Sequence, residues 1–241
     1  MKKAYETLHE DDHLIVINKS APFLTIPDRF NSDKLNLYNL LQAKYGEIFI
    51  VHRLDMETSG VMCFAKTAEA HKQLSQQFEV RTVQKIYQAI VKGVVVNDSG
   101  EINAPIAAHL HIAGKMTTHK KGKPSVTYYK VLERFNRYSL VELDLKTGRT
   151  HQIRVHLKSI SHPLAVDKMY ANKEAFFLSE IKQRFYKTSK FEEERPLVTR
   201  LTLHAHQLRI EHPETKEELY FEAPLPKDLR AMLQQLRKWG K

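Results

Sequence analysis

One arginine and one carboxylate stand two residues apart in Val51-His52-Arg53-Leu54-Asp55-Met56-Glu57-Thr58-Ser59-Gly60-Val61. An apolar run, Ile48-Phe49-Ile50-Val51, precedes them, and Val61-Met62-Cys63-Phe64-Ala65 follows. Two strand-like runs around a polar bend place Arg53 and Asp55 at a sheet edge, where a rigid frame carries binding and catalytic groups. A carboxylate so placed is a candidate nucleophile or acid–base group. By spacing alone the same bend fits a hairpin in which Asp55 makes a local turn bond or a surface ion pair. A second informative stretch is Thr147-Gly148-Arg149-Thr150-His151-Gln152-Ile153-Arg154-Val155-His156-Leu157. Ile153, Leu157 and Ile160 recur at helical spacing, so a helix starts just after Gly148 and Arg149 sits at a strand-to-helix junction.

The elements that must hold these groups follow from periodicity. Residues 13–19 read as the first strand. Pro22 and Pro27 mark a loop, and Ser32 or Asp33 is the expected cap of a helix with Leu37, Leu40, Leu41 and Tyr45 on one face and Gly46 past its end. Thr67 is the expected N-cap of a helix with Ala70, Leu74 and Phe78 on its apolar stripe and Glu69 in its first turn. In the strand at 85–93, Lys85, Tyr87, Ala89 and Val91 share a face. Asn97-Asp98-Ser99-Gly100 is a turn. Residues 105–125 contain no acidic residue but carry His109, His111, Lys115, His119, Lys120, Lys121 and Lys123, and read as a mobile basic loop. Residues 126–134 and 138–146 read as paired strands, and His162-Pro163 ends the helix that starts after Gly148. Residues 171–200 lack clean periodicity and read as a surface insertion with a short helix near 173–185. Residues 201–210 and 218–223 form an expected hairpin. The last helix has Leu229, Met232, Leu233, Leu236 and Trp239 on its stripe.

Composition narrows the function classes. At 241 residues and 42% hydrophobic, the chain can bury the core of one domain built of two intimate subdomains over 1–241. Lys plus Arg number 38 against 28 Asp plus Glu, a net charge of +10, which favours a polyanionic partner such as nucleic acid. The single cysteine, Cys63, excludes an internal disulfide and a thiolate zinc site, and reads as buried. His151 with His156, and His204 with His206, lack the i, i+4 spacing of a helical zinc pair, so no metal is expected. No apolar run has the length of a membrane span, and no apolar segment follows the basic N-terminus, so the reading is cytoplasmic, with no membrane partner. A monomer is the default expectation, which the sequence does not decide.

Three stretches together resemble the RluA-type RNA pseudouridine synthases. They are His52-Arg53-Leu54-Asp55 with Thr58-Ser59-Gly60, the alternating Lys85, Tyr87, Ala89, Val91 and Gly93, and residues 147–157. Leu203-His204-Ala205 and Ala223-Pro224-Leu225-Pro226 resemble the family's C-terminal landmarks. The resemblance implies an α+β fold: a long, mostly antiparallel mixed sheet flanked by helices, with a central cleft. Many members carry an S4 RNA-binding domain ahead of the catalytic part. With the first strand at 13, none is expected here. The chain departs from the family pattern at Ser161-His162-Pro163 and at Val166-Asp167, where the family has glycines for backbone geometry.

The resemblance implies isomerisation of uridine to pseudouridine in tRNA or ribosomal RNA, without a cofactor. Asp55 is then the nucleophile, acting at C1′ or at the base ring. Arg149 supplies the cation that keeps a buried carboxylate ionised. Tyr87 offers a stacking face for uracil and a phenol for proton relay. Arg53 belongs to the space a flipped base leaves. Lys115, Lys120, Lys121, Lys123 and Arg154 are the expected RNA-binding cations. A rival reading is a non-catalytic RNA-binding, RNA-folding or ribosome-assembly factor on the same fold. A weaker rival is a histidine-dependent metallo-hydrolase.

Overall fold

The structure is a computed structural model and describes residues 3–28, 31, 33–182, 186 and 193–240. The chain divides into two compact units, Met1–Tyr87 with His204–Pro224 and Gln88–Leu203 with Leu225–Lys241. β1 (Tyr5–Glu10) pairs antiparallel with β2 (Leu14–Lys19), and β2 is almost wholly buried. The strand expected first is therefore the second. β1 escaped notice because it ends the strand order with one neighbour and is half exposed, so it carries Glu6, His9 and Glu10 instead of an apolar run. The helix α1 (Leu37–Tyr45) is capped by Asn36, whose side chain accepts from the Asn39 amide at 2.9 Å, and not by Asp33. Ser32 lies outside the described residues. Gly46 closes the helix at φ +79°, as its position implied.

β3 (Phe49–Ile50) and β2 both pair antiparallel with β4 (Ser59–Ala65), which is buried along its length. α2 (Ala68–Val80) begins at Thr67, whose hydroxyl accepts from the Ala70 amide at 3.1 Å. Leu74 is fully buried beneath it. β5 (Gln84–Lys92) carries the division between the units, which falls after Tyr87.

In the second unit β9 (Val126–Arg134) pairs antiparallel with β6 (Ser99–Asn103) and with β10 (Tyr138–Leu145). Between β6 and β9 the expected mobile loop is instead a hairpin. β7 (Ile106–Ala108) and β8 (Met116–Thr118) form a separate two-stranded antiparallel sheet. Three-residue strands are too short for alternation to register, and the intervening Gly and His residues read as loop. α3 (Gln152–Ser159) follows β10, with six consecutive residues, Gln152 to Leu157, buried.

The single-turn α4 (Ser179–Lys182) is what the described residues contain of the expected 173–185 helix. Residues 171–200 are not all surface. Phe176 and Val198 are buried, pair backbone to backbone, and pack with Ile90, Phe135 and Leu140. Neighbouring charges mask this in the sequence. β11 (Leu203–Glu211) and β12 (Glu218–Glu222) form the expected hairpin, and β11 also runs parallel to β4. α5 (Lys227–Trp239) turns Leu229, Met232, Leu233 and Leu236 into the same core as Phe176. In the first unit β4 pairs parallel with β11 and antiparallel with β2, and each unit combines strands with helices, an α+β fold as expected. No helix among the described residues is long and apolar enough to cross a membrane.

Candidate active site

Asp55 lies half-buried in a bend whose backbone is held from several sides. The Thr25 hydroxyl donates to the Leu54 carbonyl at 2.9 Å and accepts from the Leu54 amide at 3.3 Å. The Asp55 carbonyl accepts from the Thr58 amide at 3.0 Å, and the Met56 carbonyl from the Phe23 amide at 3.0 Å. Lys19, at the end of β2, is fully buried. Its Nζ donates to the carbonyls of Thr58 at 2.7 Å, Met56 at 3.0 Å and Ser20 at 3.2 Å. An ammonium is kept in the interior only where acceptors replace its water, and here they are the backbone of the Asp55 bend.

The flanks are equally fixed. The His52 Nε2 accepts from the Cys63 amide at 3.1 Å, and the ring stacks on Phe78 at 4.7 Å. Burial, with the charge of Lys85 second, pushes His52 down to about 3, so it is neutral and serves as an acceptor. Burial pushes the Cys63 thiol up to about 12, which leaves it inert. After the bend, the Ser59 hydroxyl and His204 Nδ1 lie 2.9 Å apart, and His204 Nε2 lies 3.0 Å from the Ala223 carbonyl. Since Nε2 must donate to that carbonyl, Nδ1 accepts from Ser59. Gly60, at φ +118°, lies so close to β11 that a Cβ there would fall 2.0 Å from the Ala205 carbonyl oxygen. Only glycine admits that approach.

Tyr87 is buried in β5, and its phenol is pushed upward first by burial and then by the negative charge of Asp55. The structure thus brings Asp55 and Tyr87 into one electrostatic environment. A phenol held above its ordinary range stays protonated at neutral pH, so it can donate a hydrogen bond but can accept a proton only by releasing its own. Arg53 is exposed two residues before Asp55.

In the second unit, Arg149 is half-buried between β10 and α3. Its amide donates to Gln152 Oε1 at 3.0 Å, and its Nε lies 3.4 Å from the Pro124 carbonyl. Gln152 also accepts from the Thr147 hydroxyl at 2.7 Å and donates to the Val126 carbonyl and the Thr127 hydroxyl. This one amide fixes the turn that presents Arg149. His156 Nε2 donates to the Ala104 carbonyl at 2.9 Å, and burial lowers its pKa, so it too is neutral.

Residues 13–159 match the RNA pseudouridylate synthase family. That span holds Asp55, Tyr87 and Arg149. The chain belongs to the RNA pseudouridylate synthase family. It is 41% identical over 240 residues to the ribosomal large subunit pseudouridine synthase D of Neisseria meningitidis serogroup B, covering 97% of this chain and 62% of that protein. It is 39% identical to the protein of the same name from Pseudomonas aeruginosa, covering 97% of this chain and 72% of the relative. The human RNA pseudouridylate synthase domain containing 4 superposes with a TM-score of 0.74 at 27% identity, covering 96% of this chain and 92% of that structure. The chain spans a little under two thirds of the length of the first curated relatives it matches.

One expected RNA contact is corrected. Arg154 is buried, and its Nε and Nη2 donate to the two oxygens of fully buried Asp167 at 2.8 and 2.9 Å. Its guanidinium lies 4.8 Å from the centre of the Tyr170 ring. Arg154 therefore faces the interior and acts on the hairpin through Tyr170, whose hydroxyl accepts from the Met116 amide at 2.8 Å. Lys115 is half-buried with its Nζ 5.9 Å from the same ring, while Lys120, Lys121 and Lys123 are exposed as expected. Where the family pattern has glycine, Ser161 adopts φ +65° just past α3, so the bend is kept at the cost of a strained serine. Lys19 is the buried support of the Asp55 bend that the sequence reading missed. A lysine ending an otherwise apolar strand, Leu14-Ile15-Val16-Ile17-Asn18-Lys19, is the one signal it left. Among the described residues no cluster of His, Cys, Asp and Glu could hold a metal ion.

Proposed function

We propose that this chain converts uridine to pseudouridine in RNA, with Asp55 as nucleophile. The N1–C1′ bond breaks, C5 joins C1′, C5 loses its proton and N1 gains one, so the reaction is redox-neutral and its substrate and product are isomers. The observation that carries the reading is Asp55 within electrostatic reach of buried Tyr87, in a bend whose neighbouring carbonyls are held by Lys19 and Phe23. Such fixing limits the reorganisation needed to bring a carboxylate to a reacting carbon. Tyr87 presents uracil with an aromatic face and a protonated phenol. Arg149 is assigned the cation that keeps the nucleophile ionised, and Arg53 the space left by the flipped base. Exposed Lys120, Lys121 and Lys123, with Lys115 behind them, are assigned to phosphates.

The names of the bacterial relatives favour large-subunit ribosomal RNA over tRNA as substrate. The test is tritium release from RNA labelled at uracil C5, with native protein and Asp55→Ala on separate ribosomal and transfer RNA pools. Release from the ribosomal pool by the native protein alone supports the reading. RNA binding without release from either pool would replace the enzyme with an RNA-binding factor.

A further inference from the structure

The β7–β8 hairpin ends in side chains that phosphate contacts do not explain. Leu110 is 91% exposed and Ile112 46%, among lysines and histidines. The tip is built and not frayed. The His109 amide donates to the Lys115 carbonyl at 2.9 Å, and the Lys115 amide to Ile112 at 3.2 Å. The His111 amide donates to His109 Nδ1 at 3.2 Å, and the two rings meet edge to face. The root is anchored as firmly. Ile106 and Met116 pack with Val155 and Tyr170, and Ile106 exchanges backbone bonds with Lys123 at 2.8 and 2.9 Å. Gly122 lies so near Ile106 that a Cβ there would come within 2.6 Å of its backbone. The result is a stiff cationic arm with an apolar end.

Cations gain from phosphates, but Leu110 and Ile112 do not. On a polyanion they leave water only against base faces, between two bases or upon one already unstacked. An intact A-form duplex keeps its base faces stacked and its deep groove closed to side chains, whereas a loop or bulge offers open faces. We propose that Leu110, with Ile112 beside it, is a wedge that enters the base stack of looped or bulged RNA. The arm thereby selects RNA with unpaired bases over continuous duplex. This rests on the reading of the chain as acting on RNA.

The test uses the full chain, an RNA stem-loop with 2-aminopurine in its loop, and a fully paired duplex of matched composition. Native protein should raise the 2-aminopurine fluorescence as the base unstacks. Leu110→Ser should weaken stem-loop binding about ten-fold, abolish that rise, and leave duplex affinity and the salt slope unchanged. Leu110→Met should behave as native. Equal stem-loop binding by native and Leu110→Ser proteins overturns the wedge alone, as does an equal loss on both RNAs. Native protein that binds neither RNA removes the RNA reading and the wedge with it. Leu110-dependent binding to phosphatidylglycerol vesicles in place of the stem-loop would assign the tip to a membrane surface and also overturn the proposal.

Discussion

The bend at 51–58 and the hairpin at 106–118 are both polar connections in a strand-rich chain, and they are held in opposite ways. The bend hides its supports: Lys19 and Thr25 are buried and spend their polar atoms on its backbone. The hairpin is anchored to the rest of its unit at its root, by Met116, Tyr170 and the Arg154–Asp167 pair, and leaves Leu110 at its tip in water. On the proposed reading, position is fixed where a carboxylate must meet one carbon, and reach is kept where a long polyanion must be caught. The difference also separates cations by role. Lys19 and Arg154 are interior and structural, whereas Lys120, Lys121 and Lys123 are exposed.

Arg154→Met should have the largest effect on stability. It strands the buried Asp167 carboxylate, which Met169 and Tyr170 amides only partly satisfy, and should cost about 3–5 kcal/mol in urea unfolding. Weakened RNA binding without lost stability would return Arg154 to the RNA surface. Lys19→Met should cost about 3 kcal/mol, because the carbonyls of Thr58, Met56 and Ser20 all lose the ammonium, with Met56 keeping the Phe23 amide. Displacement of Asp55 should also slow isomerisation about a hundred-fold with little change in RNA affinity. A rate near native would detach the bend from the chemistry.

Asp11 gives a smaller, pH-dependent effect in the first unit. Burial opposes its ionisation, but bonds from His9, the amides of Leu14 and His13, and His212 outweigh it and hold the carboxyl down to about 2. A depressed carboxyl adds stability that is fully present above its unfolded value near 4. That stability is lost as pH falls toward 2, about 2 kcal/mol in all. His52, neutral until about pH 3, loses stability in the same direction from pH 6.5 downward. Asp11→Asn should flatten the lower part of the stability profile, and an unchanged profile would place the acid sensitivity elsewhere. The smallest stability change, within about 0.5 kcal/mol, belongs to replacing Lys120, Lys121 and Lys123 with glutamine. RNA binding should weaken and its salt dependence flatten. An unaltered salt slope would remove the hairpin from the interface.

What was legible in the sequence is what local chemistry determines. The Thr67 cap, the stripe of α5, the β9–β10 and β11–β12 hairpins and buried Cys63 each follow from residues a few positions apart. The motifs around Asp55, Tyr87 and Arg149 were legible by resemblance. What stayed hidden depends on distant partners. Lys19 looks like a strand end until carbonyls 37 and 39 residues away close over it. Arg154 looks like an RNA contact until Asp167, 13 residues on, meets it in the interior. Phe176 and Val198 are unremarkable among charges until they pair and enter the core.

The measurement that tests the account most directly is Asp55→Asn on one RNA, with tritium release and equilibrium binding read in parallel. The substitution preserves shape and removes the ionised oxygen. The account predicts no release over background, with affinity within about three-fold of native. Turnover retained by Asp55→Asn, or affinity lost in step with it, would contradict Asp55 as the nucleophile.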